Sequence, residues 1–336
     1  MRDIAAAAAV SQSTVSRVLN DVPTRVPIAA KTRERVLQAS RRLGYRPNPL
    51  ARGLRGASTN LIGAVVRDFS DPFYAGVVEA LVVESIGHGY NVVLGHAHGR
   101  LDESVPATAV METRHTDAII LLGDMQEHPE FVADLRNSDV PIVALWQGTS
   151  PIEYPTADTD DRAGVKTGLA HLAELGHRHI AFVSAELPGA YRVREDTYVD
   201  FMRERFGGVP AGYIERCPNT PAGGDAALRR LRALATPPTA VATATDLVAV
   251  GVLHAAHSLG VTVPDELSVV GYDDILIATH TVPALTTLRM PTVEIVRHAV
   301  SQAIELARDP AASREPRLDL FTPSLIIRDS SAPPGR

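Results

Sequence analysis

The sequence predicts two parts: a small all-α head with helix-turn-helix spacing, and an α/β core built from parallel βαβ units. Three observations predict it. Charge is unevenly divided: residues 1–60 hold 11 Lys and Arg against three Asp and Glu, a balance of +8, while the remainder carries −14. Within 1–46, apolar residues recur at helical spacing in three short stretches. From Asn60 onward, short β-branched runs alternate with helical segments, the pattern of βαβ units.

The bulk composition sets the outer limits. At 336 residues the chain is too long for one core, since single cores stop growing near roughly 250–300 residues. Apolar residues at 45% and charged residues at 21% exclude a disordered or collagen-like chain. The single cysteine, Cys217, excludes a disulfide framework and a four-cysteine zinc site, and suits a reducing cytoplasm. No apolar run reaches the roughly 18–20 residues of a membrane span, and the start Met1-Arg2-Asp3-Ile4-Ala5 makes a poor signal peptide. A basic head on an acidic body is the footprint of a nucleic-acid-binding module joined to something else; a solvated basic face is the alternative.

In the head, the first helix is expected over Arg2–Ala8, with Ile4, Ala5 and Ala8 on one face. The second starts at Ser11, a good N-cap type, and turns Val15, Val18 and Leu19 inward to about Leu19. The third covers Ala30 to Leu43, with Val36, Ala39, Ser40 and Leu43 inward and Lys31, Arg33, Arg35, Arg41 and Arg42 outward. The turn between the first two is two or three residues long, so the second helix is placed to enter a major groove. On it Gln12, Ser13, Ser16 and Arg17 avoid the apolar stripe. Gln pairs bidentately with adenine and Arg with guanine, and Ser16 suits a phosphate; an ordinary exposed helix surface is the plain alternative.

Asp3-Ile4-Ala5, the run Ala8 to Asn20, Thr32-Arg33-Glu34-Arg35-Val36 and Leu43-Gly44-Tyr45-Arg46-Pro47-Asn48 resemble, in order, the opening of lactose/galactose-repressor-family transcriptional regulators. The resemblance implies base reading by Gln12, Ser13 and Arg17, with Thr14, Ser16, Asn20 and Thr32 on the DNA backbone. Two departures stand out. Relatives usually carry glycine where Ala9 stands, and a hydroxyl cap ahead of the first helix, which predicts strain at Ala9 and a poorly capped first helix.

The stretch Pro47 to Gly56 has two prolines, two glycines and two arginines, and by composition is a basic linker. The resemblance implies a hinge over 47–59, with Leu54 as a wedge in the minor groove; a leucine anchoring the linker is the alternative. The head is then 1–46 and the core 60–336.

In the core, strands are expected at Leu61–Val66, Asn91–Leu94, Ala118–Leu122, Pro141–Leu145, Ile180–Val183, Ala240–Thr243 and Leu267–Val270. Helices fit at Phe73–His88, Arg162–Leu175, Asp225–Leu234, Leu247–Leu259 and Val293–Ala307. No P-loop or GxGxxG follows a strand, so neither a nucleotide-binding enzyme nor a cofactor is expected. Asp71-Pro72-Phe73-Tyr74, Leu175-Gly176-His177 and Ser268 to Asp274 extend the resemblance. It implies a periplasmic-binding-protein-like core of two parallel-sheet lobes, crossing near Asp158, Thr287 and Leu318.

Ligands of such sheets sit beyond strand ends. Phe73 and Tyr74, Arg194 at the family's position before a helix, and Asp273 are the expected effector contacts. An Arg–Asp pair with aromatic faces suits a carbohydrate. Trp146, the only tryptophan, is either a stacking platform or inter-lobe core. His177 is expected in a loop role, His96 and His98 could line the cleft, and no metal site is expected.

The expected function is therefore an effector-responsive regulator that binds double-stranded operator DNA as a homodimer, with no membrane partner and no catalytic residues. The resemblance, in which the dimer is built on the first lobe, implies Phe73–His88 as an interface helix. The tail from Ser330 has no leucine heptad, so no tetramer is expected through it. A solute-binding transport receptor using the same core is the alternative.

Overall fold

The computed structural model describes residues 1–19, 27–45, 58–97, 116–125, 135, 138–148, 153–186, 189–309, 311–312 and 314–335. Asn20, Leu54, His98 and most of the 47–59 stretch lie outside these residues. The chain forms two compact units, Met1–Thr59 and Asn60–Arg336.

The first unit holds α1 (Arg2–Ala7), α2 (Gln12–Leu19) and α3 (Ala30–Arg42). α2 starts where a hydroxyl can cap it: Ser11 Oγ accepts from the Thr14 N–H over 3.1 Å. α1 begins at Met1 with no side-chain cap. Ala9 turns the chain between them at φ 48°, a left-handed value that costs alanine roughly 1 kcal/mol against glycine. Ile4, Ala5, Ala8, Val15, Val18, Val36 and Ala39 form the core of the unit. Leu43 was expected inward but is 46% exposed, because α3 ends at Arg42 and the backbone turns away there.

Among the described residues, the second unit is built on two six-stranded sheets. In lobe one, β1 (Leu61–Val66), β2 (Asn91–His96), β3 (Ala118–Leu122), β4 (Ile142–Leu145), β5 (Pro155–Thr159) and β11 (Arg317–Phe321) pair in parallel in the order β11-β5-β4-β3-β1-β2. α4 (Phe73–Gly87) and α9 (Thr292–Arg308) pack on this lobe and on each other. β1, β3 and β4 are apolar almost throughout because helices and sheet bury both faces.

Lobe two orders its strands β12-β10-β9-β8-β6-β7. These are β6 (Ile180–Ala185), β7 (Ile214–Cys217), β8 (Ala240–Thr243), β9 (Ser268–Asp273), β10 (Thr286–Arg289) and β12 (Ser324–Ile326), with only β12 antiparallel. Its helices are α5 (Asp161–Glu174), α6 (Ala190–Phe206), α7 (Pro221–Arg232) and α8 (Asp246–Ser258).

The chain crosses between lobes after β5, after β10 and between β11 and β12. α7 starts four residues before the expected Asp225. Thr220 Oγ1 caps it by accepting from Gly223 N–H, and Pro221 fits the first turn. Gly224 then lets α7 pack onto α8, where an added Cβ would meet the Val248 carbonyl at 2.1 Å. The tail from Ser330 folds back onto lobe two. His177 Nε2 lies 2.9 Å from the Ala332 carbonyl and 3.0 Å from Ser268 Oγ. Among the described residues, no helix is long and apolar enough to cross a membrane.

Candidate functional site

In the first unit, α2 divides by periodicity into two faces. Val15 and Val18 are buried, and Gln12, Ser13 and Arg17 lie exposed opposite them. Ser11 Oγ also sits 2.7 Å from Ser13 Oγ and 2.8 Å from Thr14 Oγ1, a hydroxyl cluster over the helix start. Thr14 and Ser16 are half-buried beside it, and Thr32 is half-buried in the first turn of α3. The exposed amide, hydroxyl and guanidinium form a surface able to donate to and accept from base edges.

In the second unit, the five expected effector contacts converge. Phe73, Tyr74 and Trp146 from lobe one and Arg194 and Asp273 from lobe two line one inner cavity of about 30 Å³. Phe73 starts α4 and meets the Trp146 ring edge-on, centroids 5.1 Å apart. Trp146 sits where the core meets the cavity. It is 6% exposed within the core, and its indole N–H donates to Thr159 Oγ1 over 3.1 Å, yet it also walls the cavity.

Arg194 lies inside α6 and not before a helix, since Gly189 already starts that helix. Its Nε donates to Asp161 Oδ1 over 2.9 Å and Nη1 to the Ala244 carbonyl over 2.6 Å. Asp273 Oδ1 is farther, 3.6 Å from Nη1. The guanidinium also lies 3.7 Å from the centroid of the Tyr272 ring. Asp273 ends β9 at φ 114°, a costly backbone value for a non-glycine residue. Burial pushes its carboxyl well above the usual range, against the pull of Arg194. Asp158, beside the first crossover, is pushed up to about 7 by burial and by Asp161.

A larger outer cavity of about 550 Å³ adjoins, lined among others by Arg67, Asp71, Asn219 and Thr220. Two bonds join the lobes here. Arg67 Nη2 donates to Tyr191 Oη over 3.3 Å, and Asn219 Nδ2 donates to Asp71 Oδ2 over 3.1 Å. Sequence reasoning missed Arg67, Tyr191, Asp161 and Asn219 as site residues. Arg67 directly follows β1, so the strand-end rule that found Phe73 reaches it too; Asp161 lies two residues past β5, a strand that the sequence pattern did not disclose.

The His96 ring lies 5.1 Å from that of Phe69, tilted by 41°, and lines neither cavity. His177 is buried, with Nδ1 2.9 Å from Thr239 Oγ1, and holds a connector in place. Among the described residues, no three His, Cys, Asp or Glu side chains are grouped to hold a metal ion.

Residues 1–48 match the family described as bacterial regulatory proteins, lacI family, and residues 169–331 match a periplasmic binding protein-like domain. The chain is 31% identical over 333 residues to the HTH-type transcriptional repressor CytR of Escherichia coli strain K12, covering 98% of this chain and 96% of that protein. It is 32% identical over 296 residues to catabolite control protein A of Priestia megaterium, covering 87% of this chain and 88% of that one. Among solved structures, it resembles the lac repressor dimer bound to operator and the anti-inducer ONPF, with a TM-score of 0.84, 26% identity and 98% of each chain covered. The transcriptional regulator CelR–cellobiose complex gives a TM-score of 0.73 at 26% identity, again over 98% of each chain.

Proposed function

The chain belongs to the lacI family of bacterial regulatory proteins, and from that membership we propose an effector-responsive transcriptional repressor that grips a pseudo-palindromic operator as a homodimer. One observation carries the reading: side chains from both lobes, Phe73, Tyr74 and Trp146 with Arg194 and Asp273, meet in one cleft of a chain that also carries an exposed Gln12-Ser13-Arg17 face. The first group suits a small molecule and the second suits base edges. A transport receptor has no use for that second face.

In this reading Gln12, Ser13 and Arg17 read bases, Thr14, Ser16, Asn20 and Thr32 hold phosphates, and Leu54 in the 47–59 hinge wedges the minor groove. The head is 1–46 and the core 60–336. Dimerisation is supported by exposed apolar residues on lobe one, Val83 and Ile86 of α4 and Val93 and Leu94 of β2. Two-fold symmetry places the half-sites about one helical turn apart. A carbohydrate effector is supported by aromatic faces beside Arg194 and Asp273, and by the cellobiose bound to a related regulator. Its binding alters the lobe angle and changes operator affinity by a coupling of about 1–3 kcal/mol. A protein working on chromosomal operators is placed in the cytoplasm.

The test is selection of operators from random duplexes with the full chain, followed by anisotropy titrations with a sugar panel. A palindromic consensus whose affinity shifts with one sugar supports the reading. Equal affinity for consensus and random DNA sinks it.

A further inference from the structure

Two aspartates in succession close β9, and both hold positive φ: Asp273 at 114° and Asp274 at 57°. Such values are uncommon for a residue with a side chain, so the surrounding contacts must hold the pair there. The two carboxyls serve different places. Asp273 lines the inner cavity beside Arg194, whereas Asp274 lines neither cavity. The Asp274 side chain is 7% exposed, and arginines take both its oxygens. Arg289 Nε donates to Oδ2 over 2.6 Å and Arg328 Nη2 to Oδ1 over 2.5 Å. The Ile275 N–H then donates to Asp246 Oδ2 over 2.9 Å, which pins the next residue to the start of α8.

Both arginines belong to the segments that cross between lobes. Arg289 is the last residue of β10; Met290 follows and lines the inner cavity, and the chain then enters α9 in lobe one. In register, Arg289 pairs with Asp273 on one side and, on the other, with Ser324, the first residue of β12 after the third crossing. The Asp160 N–H donates to the Phe321 carbonyl over 2.8 Å and joins the first crossing to the third. Arg328, just past β12, also donates from Nη1 to the Leu285 carbonyl and from its backbone N–H to Thr286 Oγ1, at the start of β10. The three crossings are thus bonded side by side, and Asp274 grips the second and the segment beyond the third. Hinges are a few element-terminal residues that absorb a change of φ and ψ. Positions 273 and 274 are such an end, with one residue facing the cavity and the next holding the crossings.

We propose that Asp274 is the positioning residue that turns occupancy of the cleft into a change of lobe angle. A ligand that draws on Asp273 shifts the backbone turn it shares with Asp274, and Arg289 passes the shift to the second crossing. Asp274 touches no ligand itself. The inference rests on the cleft being the effector site.

The test uses the full chain and Arg289→Gln. Arg289 is half-exposed and its loss leaves Asp274 paired with Arg328, so the fold is retained. Arg230→Gln, which breaks a similar half-exposed pair with Glu215 on the same lobe, is the control. Spin labels at Ser301→Cys on lobe one and Glu204→Cys on lobe two, both exposed, report the lobe-to-lobe distance, with labelled chain diluted in unlabelled chain. Cys217 is buried and its thiol is pushed up to about 11, so it stays unlabelled. Without ligand, the distance distribution is expected to be about twofold wider in Arg289→Gln than in the parent and unchanged in Arg230→Gln. Equal widths in all three proteins overturn the proposal. Glucose, ribose and cellobiose are then titrated against operator affinity. A sugar that shifts the parent is expected to bind Arg289→Gln within about twofold, yet keep less than about a fifth of the shift. An equal shift, or loss of sugar binding itself, overturns the proposal and leaves the effector cleft intact. A parent that no sugar shifts counts against the effector reading instead, and the label distances alone then decide whether Asp274 holds the lobe angle.

Discussion

Arg194 reaches Asp161 before it reaches Asp273: Nε to Oδ1 is 2.9 Å, whereas Nη1 to the Asp273 carboxylate is 3.6 Å. Asp161 opens α5 immediately after the first crossover, so the strongest ion pair of the cleft fastens α6 to a hinge. Both side chains are nearly fully buried. Asp161→Ala strands the guanidinium and is expected to lower stability by about 3–5 kcal/mol. Chemical denaturation of the core measures it. A loss under about 1 kcal/mol would show that Asp273 and the Ala244 carbonyl suffice.

Asp273 separates binding from folding. Burial already disfavours its charge, and asparagine tolerates the φ of 114° better than most residues. Asp273→Asn is therefore expected to keep stability within about 1 kcal/mol. The same variant loses at least tenfold in effector response while operator affinity is unchanged. Melting curves and ligand-dependent operator release check the two halves separately.

Ala9 sits at φ 48° where the chain turns between α1 and α2. Ala9→Gly removes the Cβ conflict and is expected to stabilise the head by roughly 1 kcal/mol, net of glycine's greater unfolded freedom. Amide hydrogen exchange over α1 and α2 reads this directly. Faster exchange in the variant would mean that the strain is absorbed elsewhere.

What the sequence disclosed follows from where each stabilising partner lies. β1 and β3 are continuous apolar runs, and α2 carries its cap and stripe within nine residues, so local reading finds them. β5, β10 and β11 carry Thr, Asp and Arg, and owe their pairing to neighbours distant in the chain. α7 hides its start in Pro221-Ala222-Gly223-Gly224, which reads as a loop until α8 is packed on it. The cleft divides likewise. Arg194 and Asp273 are legible through family motifs, whereas Arg67 meets Tyr191 across 124 positions and Asp161 meets Arg194 across 33.

Arg17 is exposed on the open face of α2, so its loss leaves the fold of the head unchanged. Arg17→Ala is expected to cost about 1–3 kcal/mol of discrimination between operator and random duplex. Effector binding to the core remains unaltered. Competition anisotropy at fixed salt measures the ratio; an unchanged ratio removes Arg17 from the base-reading set.

Asp158 gives the core a pH signature with a definite sign. Its carboxyl is pushed up to about 7 by burial and then by Asp161, and unfolded aspartate titrates near 4. Between those values the native chain holds more protons than the unfolded one, so this group's contribution to stability falls as pH rises from about 4 to about 7. Asp246, pushed up to about 7 chiefly by burial, acts in the same direction. His171 and His177, lowered by burial, act oppositely: stability is lost as pH falls below about 6.5. Comparing Asp158→Asn with the parent isolates the one carboxyl, because the other groups are common to both. Asparagine forfeits one of the two backbone bonds that Asp158 accepts from Thr159 and Gly148, which limits the gain. The variant is expected to be about 1–2 kcal/mol more stable than the parent at pH 8. At pH 5, where the parent carboxyl is protonated, that advantage disappears. Denaturant melts at the two pH values decide it: a difference that does not change between them would mean that Asp158 is ionised throughout.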